Sequence, residues 1–136
     1  MKLKNKLDAR FNMKDLGSPD YVLAFHITRD VKQGELWIDQ GRYIEGVLKK
    51  FGMLDCNPYS APINNNQKLP EIPQTDLENS DIKNIPYQSA IGSLLYAAQG
   101  TRSDISFAIS LLSRFNNNPS KIHWTAFERV TRYLTG

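Results

Sequence analysis

One cysteine, two histidines and fourteen Asp/Glu residues are the side chains with which this 136-residue chain could do covalent or metal chemistry. Their spacing argues against both. Cys56, His26 and His123 fall in three separate stretches, and no Ser-centred elbow lies beside a His partner. No Cys-x-x-Cys or His-Glu-x-x-His spacing is present to ligate a metal ion. Gly41 and Gly46 lie inside a helical pattern rather than a phosphate-cradling loop. Asp76, Glu78 and Asp81 are carboxylates of the kind used in two-metal phosphoryl transfer, but their polar, proline-interrupted surroundings cannot hold rigid metal geometry. The sequence thus offers no catalytic residue and no metal site. His26 and His123 read as hydrogen-bonded residues of a strand and a helix, and Cys56 as a small hydrophobe with nothing beside it to activate a thiolate.

What remains is a binding surface. Arg42, Lys49 and Lys50 fall on one predicted helix, and Gln88, Ser93 and Arg102 on or just after another. Such groups neutralise phosphates or reach into a shallow groove; surface solubility is the competing reading. The formal net charge is +3. It is carried by basic ends, residues 1–50 and 100–136, on either side of an acidic middle, which permits a phosphate-contacting surface without demanding one. The single cysteine excludes an internal disulfide framework and suits a reducing compartment. MKLKNKLDARF has no apolar run and is not read as a signal peptide. No stretch approaches 18 uninterrupted apolar residues, so no membrane partner is expected.

The elements that must position these groups follow from periodicity. Leu3, Leu7 and Phe11 predict a helix over 2–11, ended by Gly17 and Ser18-Pro19-Asp20. Residues 21–28 alternate as a strand, with Tyr21, Leu23, Phe25 and Ile27 on one face, and 35–38 return as its hairpin partner. Asp39 is expected to cap a helix over about 40–51, with Ile44, Val47, Leu48 and Phe51 inward and Gly52 as its left-handed stop. Prolines and Asn64-Asn65-Asn66-Gln67 make 53–84 a connector, mobile over 64–82. Three helices follow. The first opens at Pro86 and buries Tyr87, Ile91, Leu94, Leu95 and Ala98, ending near Gly100. The second is capped by Ser103, runs to about Phe115, and should be buried all round. The third is capped by Ser120 after the turn 116–119. No internal repeat is present. The fold class is α+β: a short helix and a β-hairpin, then a mostly helical region.

Six runs in order resemble one family along nearly the whole chain: FNMKDLG (11–17), YIEGVLKKFGM (43–53), SAPI (60–63), YQSAIGSLLYAAQGTRSDISFAIS (87–110), IHW (122–124) and RYLTG (132–136). Together they resemble the C-terminal part of the reverse transcriptase region of copia-type retrotransposon Pol polyproteins. The resemblance implies that residues 1–38 end the palm and carry a primer-grip-like hairpin, with Leu23, Ala24, Phe25 and His26 at the grip. Residues 39–115 would be thumb-like helices contacting the template–primer, and 116–136 the start of the connection to RNase H. In that family the catalytic Tyr-x-Asp-Asp turn lies upstream of FNMKDLG, and this chain has no adjacent Asp-Asp pair. The expectation is a truncated RNA-directed DNA polymerase, inactive alone. Mg²⁺ would be needed only by the intact enzyme, and no cofactor by this chain. Its partners would be an RNA–DNA or DNA duplex and the palm and fingers of the polyprotein. Its place would be the cytoplasmic retrotransposon particle if the element is active. Two departures stand out: Ala24 where the family has Gly, and Ser103 where it has Pro. The alternatives are a repurposed protein-interaction module and a non-functional product of a decayed element.

Overall fold

The computed structural model describes residues 2–64, 66, 68–70 and 85–136. It bears out the α+β class. A helix α1 (Lys2–Asp8) precedes three strands, β1 (Tyr21–Val22), β2 (Phe25–Asp30) and β3 (Glu35–Asp39), and then helices α2 (Gly41–Lys50), α3 (Tyr87–Gly100), α4 (Ser106–Ser113) and α5 (Lys121–Leu134). A single 3₁₀ turn, Ser103–Ile105, leads into α4. The strands form one antiparallel meander in the order β1-β2-β3.

The core belongs to the helices. α3 buries Tyr87, Ala90, Ile91, Leu94, Ala97 and Ala98 along one side. Ile44, Val47 and Leu48 of α2, Ile105, Ala108, Ile109 and Leu112 around α4, and Ala126, Phe127, Val130 and Leu134 of α5 close over it. Three alanines on the α3 face leave room for neighbouring backbones, while its large residues fill the gaps between them. The Tyr87 hydroxyl donates to the Leu112 carbonyl at 2.9 Å. Burial pushes its ionisation well above the usual tyrosine range, so it stays a neutral donor. Phe51, Trp124 and Phe127 form an aromatic triad, with ring centroids 4.7 to 6.2 Å apart, that ties the end of α2 to α5.

The end of α2 shows why the chain turns where it does. Gly52 has φ +68. Its N–H reaches Lys49 O at 3.2 Å, and Met53 N–H reaches Leu48 O at 2.8 Å. This paired closure satisfies the last carbonyls and needs a left-handed residue at the glycine. At the other end, Gln40 is the cap position. The Asp39 carboxylate nevertheless takes the Gly41 N–H at 3.0 Å, one residue further out than a standard cap.

Several sequence expectations are corrected. The first helix stops at Asp8, and Leu3, Leu7 and Phe11 are exposed instead of forming a buried stripe. Residues 21–28 are not one strand, because the chain reverses at Leu23-Ala24. Leu95 and Phe107 face outward, Phe107 at 70% exposure, so the second of the three late helices is not buried all round. Ser103 opens the 3₁₀ turn instead of capping α4. Most of the connector expected to be mobile, together with Asp76, Glu78 and Asp81, lies outside the described residues. Within it, Leu69 packs against the core, as do Ile63 and Ile85 on either side.

His123 is fully buried and locked from both sides. Its Nδ1 accepts the Ser120 backbone N–H at 3.0 Å and also meets Ser120 Oγ at 3.0 Å. A backbone N–H can only donate, so Nδ1 is bare and the proton is on Nε2, which donates to the Pro70 carbonyl at 3.1 Å. The ring stacks on Phe115 at 3.8 Å. Burial lowers its pKa below the ordinary histidine value. The unfolded chain therefore binds a proton that the folded chain refuses. The stability this contributes is complete above about pH 6.5 and is lost as pH falls through the lower, folded value. The thermal midpoint of the wild type should accordingly drop between pH 7.5 and 5. His123→Gln should start lower and show a flatter profile over the same range; an equally steep profile would remove His123 as the cause.

Candidate nucleic-acid interface

The four hairpin residues sit on and beside a two-residue turn. Tyr21 pairs with His26 and Val22 with Phe25, so Leu23 and Ala24 alone reverse the chain. Both have positive φ, +52 and +64. That matches the tight hairpin turn whose twist suits right-handed strands, usually built from Asn-Gly or Gly-Gly. Ala24 is thus the position where a glycine is favoured, for backbone reasons internal to the turn.

The meander has an apolar face and a polar face. Cross-strand partners share a face, which puts Val22, Phe25, Ile27, Leu36 and Ile38 together and Tyr21, His26, Thr28, Trp37 and Asp39 on the other side. His26 Nδ1–H donates to Asp39 Oδ2 at 2.9 Å. That bond, with the Gly41 N–H, holds the Asp39 carboxyl below its usual range. One carboxylate therefore joins strand β2 to the start of α2.

A tyrosine that periodicity did not single out, Tyr96, attaches this sheet to the helices, and a second, Tyr43, backs it. Tyr96 donates to the Leu23 carbonyl in the turn, and its ring lies 6.2 Å from Phe25. Tyr43 meets Tyr96 edge-on at 5.2 Å and donates to the Ser93 carbonyl at 3.0 Å. Gln40 accepts from Thr101 Oγ1 at 3.0 Å, and a Cβ on Gly100 would collide with the Gln40 amide. Glycine at 100 is the condition for that buried join. No single-sequence signal announces these ties, because each links residues far apart in the chain.

The helical candidates fall into two groups. Tyr43 meeting Ser93, and Lys50 Nζ meeting Ser89 Oγ at 3.0 Å, show that α2 and α3 run antiparallel. Both bury one side in a common core, so their outer sides open the same way. On α2 that outer side carries Arg42, Gly46 and Lys49, at i, i+4 and i+7; on α3 it carries Gln88 and Gly92, at i and i+4. A Cβ at Gly46 or Gly92 would meet nothing within 4 Å. Glycine inside a helix costs roughly 0.5–1 kcal/mol relative to alanine, and the described structure gives no internal reason for either one. Both glycines were missed as candidates in the sequence, although the four-residue spacing from Arg42 and Gln88 could have shown them.

Lys50, Ser93, Gln88 and Arg102 are engaged locally. Lys50 is held by Ser89, and Ser93 Oγ donates to the Ser89 carbonyl at 2.8 Å. Gln88 Nε2 donates to Asn116 O at 3.1 Å. Arg102 forks onto Asp104, with its nearest contact at 2.8 Å, and its Cζ lies 5.5 Å from the centre of the Tyr133 ring. The Arg102 guanidinium holds the Asp104 carboxyl down at about 2. Arg42 has its Cζ 5.8 Å from the centre of the Tyr21 ring. Lys49 has no hydrogen-bond or ion-pair partner among the described residues. Among those residues, too, no three His, Cys, Asp or Glu side chains cluster as metal ligands, and no helix is long and apolar enough to cross a membrane.

Comparison with known proteins gives the family. The chain is 42% identical over 137 aligned positions to a retrovirus-related Pol polyprotein from transposon TNT 1-94 of Nicotiana tabacum, covering 99% of this chain and 10% of that one. It is 36% identical to the corresponding polyprotein from transposon RE2 of Arabidopsis thaliana, over 98% of this chain and 9% of that one. It is 35% identical to a putative transposon Ty5-1 protein of Saccharomyces cerevisiae, over 98% of this chain and 42% of that one. The chain belongs to the copia-type retrotransposon Pol polyproteins and spans about a tenth of the length of the first two relatives. No protein-family model matches it, and no solved structure matches it.

The turn gives a direct check. An L-residue with a Cβ in the left-handed region costs roughly 1–2 kcal/mol, part of which glycine returns as extra freedom in the unfolded chain. Ala24→Gly should therefore raise the unfolding free energy by about 1 kcal/mol in urea. A destabilised Ala24→Gly variant would contradict the positive-φ turn.

Proposed function

We propose that this chain is the part of a copia-type reverse transcriptase region that holds the template–primer, and that it does not polymerise DNA by itself. The observation that carries this reading is the pair of open glycines, Gly46 and Gly92, on the outer faces of two packed helices beside Arg42, Lys49 and Gln88. A helix face with a glycine at its centre and cations at its ends lets a sugar–phosphate backbone come close while its charge is neutralised. On this reading residues 1–38 end the palm, 39–115 form the thumb and 116–136 begin the connection. The turn at Leu23-Ala24, with Phe25 and His26 behind it, is the primer-facing element, held against α3 by Tyr96. The exposed apolar side of the meander and the α1 stripe fit burial against the palm and fingers of the same polyprotein, in a cytoplasmic particle. The catalytic Mg²⁺ ions of the whole enzyme would be held by carboxylates outside residues 1–136. Within this chain no adjacent aspartates exist to hold them.

The purified chain should bind a template–primer duplex with an affinity that falls steeply with salt. Given Mg²⁺ and nucleotides, it should extend no primer; robust extension would overturn the non-catalytic part of the reading. The double variant Gly46→Ala/Gly92→Ala separates binding from folding. It should be more stable than wild type by about 1 kcal/mol or more, since alanine is the better helix former, and should bind the duplex more weakly. Unchanged affinity in this variant would sink the proposed face.

A further inference from the structure

Arg129 and Arg132, one turn apart on α5, both lie against the ring of Tyr59, with Cζ atoms 4.5 and 4.1 Å from its centroid. The ring is brought there by a strap, residues 56–59, laid along the end of the helix. Tyr59 N–H donates to the Arg132 carbonyl at 3.2 Å, Arg132 Nε donates to the Asn57 carbonyl at 2.8 Å, and Arg132 Nη1 donates to Tyr59 Oη at 3.2 Å. Thr135 Oγ1 adds a bond to the Cys56 carbonyl at 3.4 Å. Arg132 is therefore a fastening.

Arg129 has no such role. Among the described residues its Nε is buried without a hydrogen-bond partner, and neither guanidinium forms an ion pair. Both side chains are only half exposed. Two partly desolvated cations against one ring repel each other. The ring face and the C-terminal carbonyls of α5 offset some of that, but among the described residues the planar fork of Arg129 makes no hydrogen bond. A group with several acceptor oxygens supplies what it lacks. The hydroxyl of the same Tyr59 accepts from Arg132 and still has its own proton to donate. A guanidinium fork and a phenol proton suit the several non-bridging oxygens of a phosphate, which the nucleic-acid reading supplies. Charge points the same way. Residues 100–136 carry five Lys/Arg against two Asp/Glu, and one of the two, Asp104, is already taken by Arg102.

We propose that Arg129, set against Tyr59 beside Arg132, is a phosphate-binding fork that takes a phosphodiester of the bound nucleic acid, separate from the α2–α3 face. The inference rests on the nucleic-acid reading above. Its test is a titration of a fluorescent template–primer duplex with the full chain at several salt concentrations. Arg129→Gln removes the charge and leaves every bond of the strap in place, so its thermal midpoint should stay at the wild-type value. The slope of log affinity against log salt should fall by about one, the amount expected for one lost phosphate contact. Arg129→Lys should keep the slope and lose affinity, because the charge remains and the fork does not. If wild type binds and Arg129→Gln matches it in affinity and slope, the fork is overturned while the α2–α3 reading stands. If wild type binds no duplex, both fall.

Discussion

The inner face of α3 sets the position of everything else. Ala90, Ala97 and Ala98 allow close approach, Tyr87 anchors α4 through the Leu112 carbonyl, and Gly100 leaves the space into which Gln40 folds. The meander has little core of its own: every residue of β3 is exposed. It keeps its place through Tyr96, Tyr43, the Asp39 carboxylate and the Gln40–Thr101 bond. On the proposed reading, the uncovered part of its apolar side is where the palm and fingers of a longer polyprotein pack. Two of the relatives are roughly ten times longer than this chain.

The same helix that organises the core also presents the proposed binding face. Its buried side is fixed by packing, so the direction of its outer side is fixed too, together with that of α2 across the Tyr43–Ser93 and Lys50–Ser89 contacts. The two outer glycines lower helix propensity without relieving any clash, and on the proposed reading they serve the approach of a ligand backbone. Arg102, by contrast, has cationic charge without availability. Its fork onto Asp104 and its place beside Tyr133 make it part of the joint between the 3₁₀ turn and α5, since Tyr133 donates to the same carboxylate at 2.8 Å. Charge in a sequence identifies candidates, and hydrogen-bond partners decide which of them can reach a phosphate.

Much of the helical framework was legible because it depends on local rules. The Ile44-Val47-Leu48 spacing, the glycine stop at 52 and the serine start at 120 each express a backbone requirement that one residue type meets. The turn at Leu23-Ala24 was hidden because neither residue advertises a left-handed backbone; the alternation through 21–28 read as one strand, and only the pairing of Val22 with Phe25 breaks it. Leu95 and Phe107 misled for another reason: apolar character says a residue can be buried, while exposure depends on which neighbours are present. The α1 stripe failed in the same way. The tyrosine ties and the Arg129–Tyr59–Arg132 cluster join residues far apart in the chain, so spacing carries no trace of them.

Amide hydrogen exchange, read peptide by peptide with and without a template–primer duplex at low salt, decides whether the outer faces of α2 and α3 hold a nucleic-acid duplex. If they do, protection rises over 41–50 and 87–100 and at the 23–26 turn, and is lost at all three together when salt is raised. Protection confined to the exposed side of the meander, or none anywhere at saturating duplex, would contradict binding there.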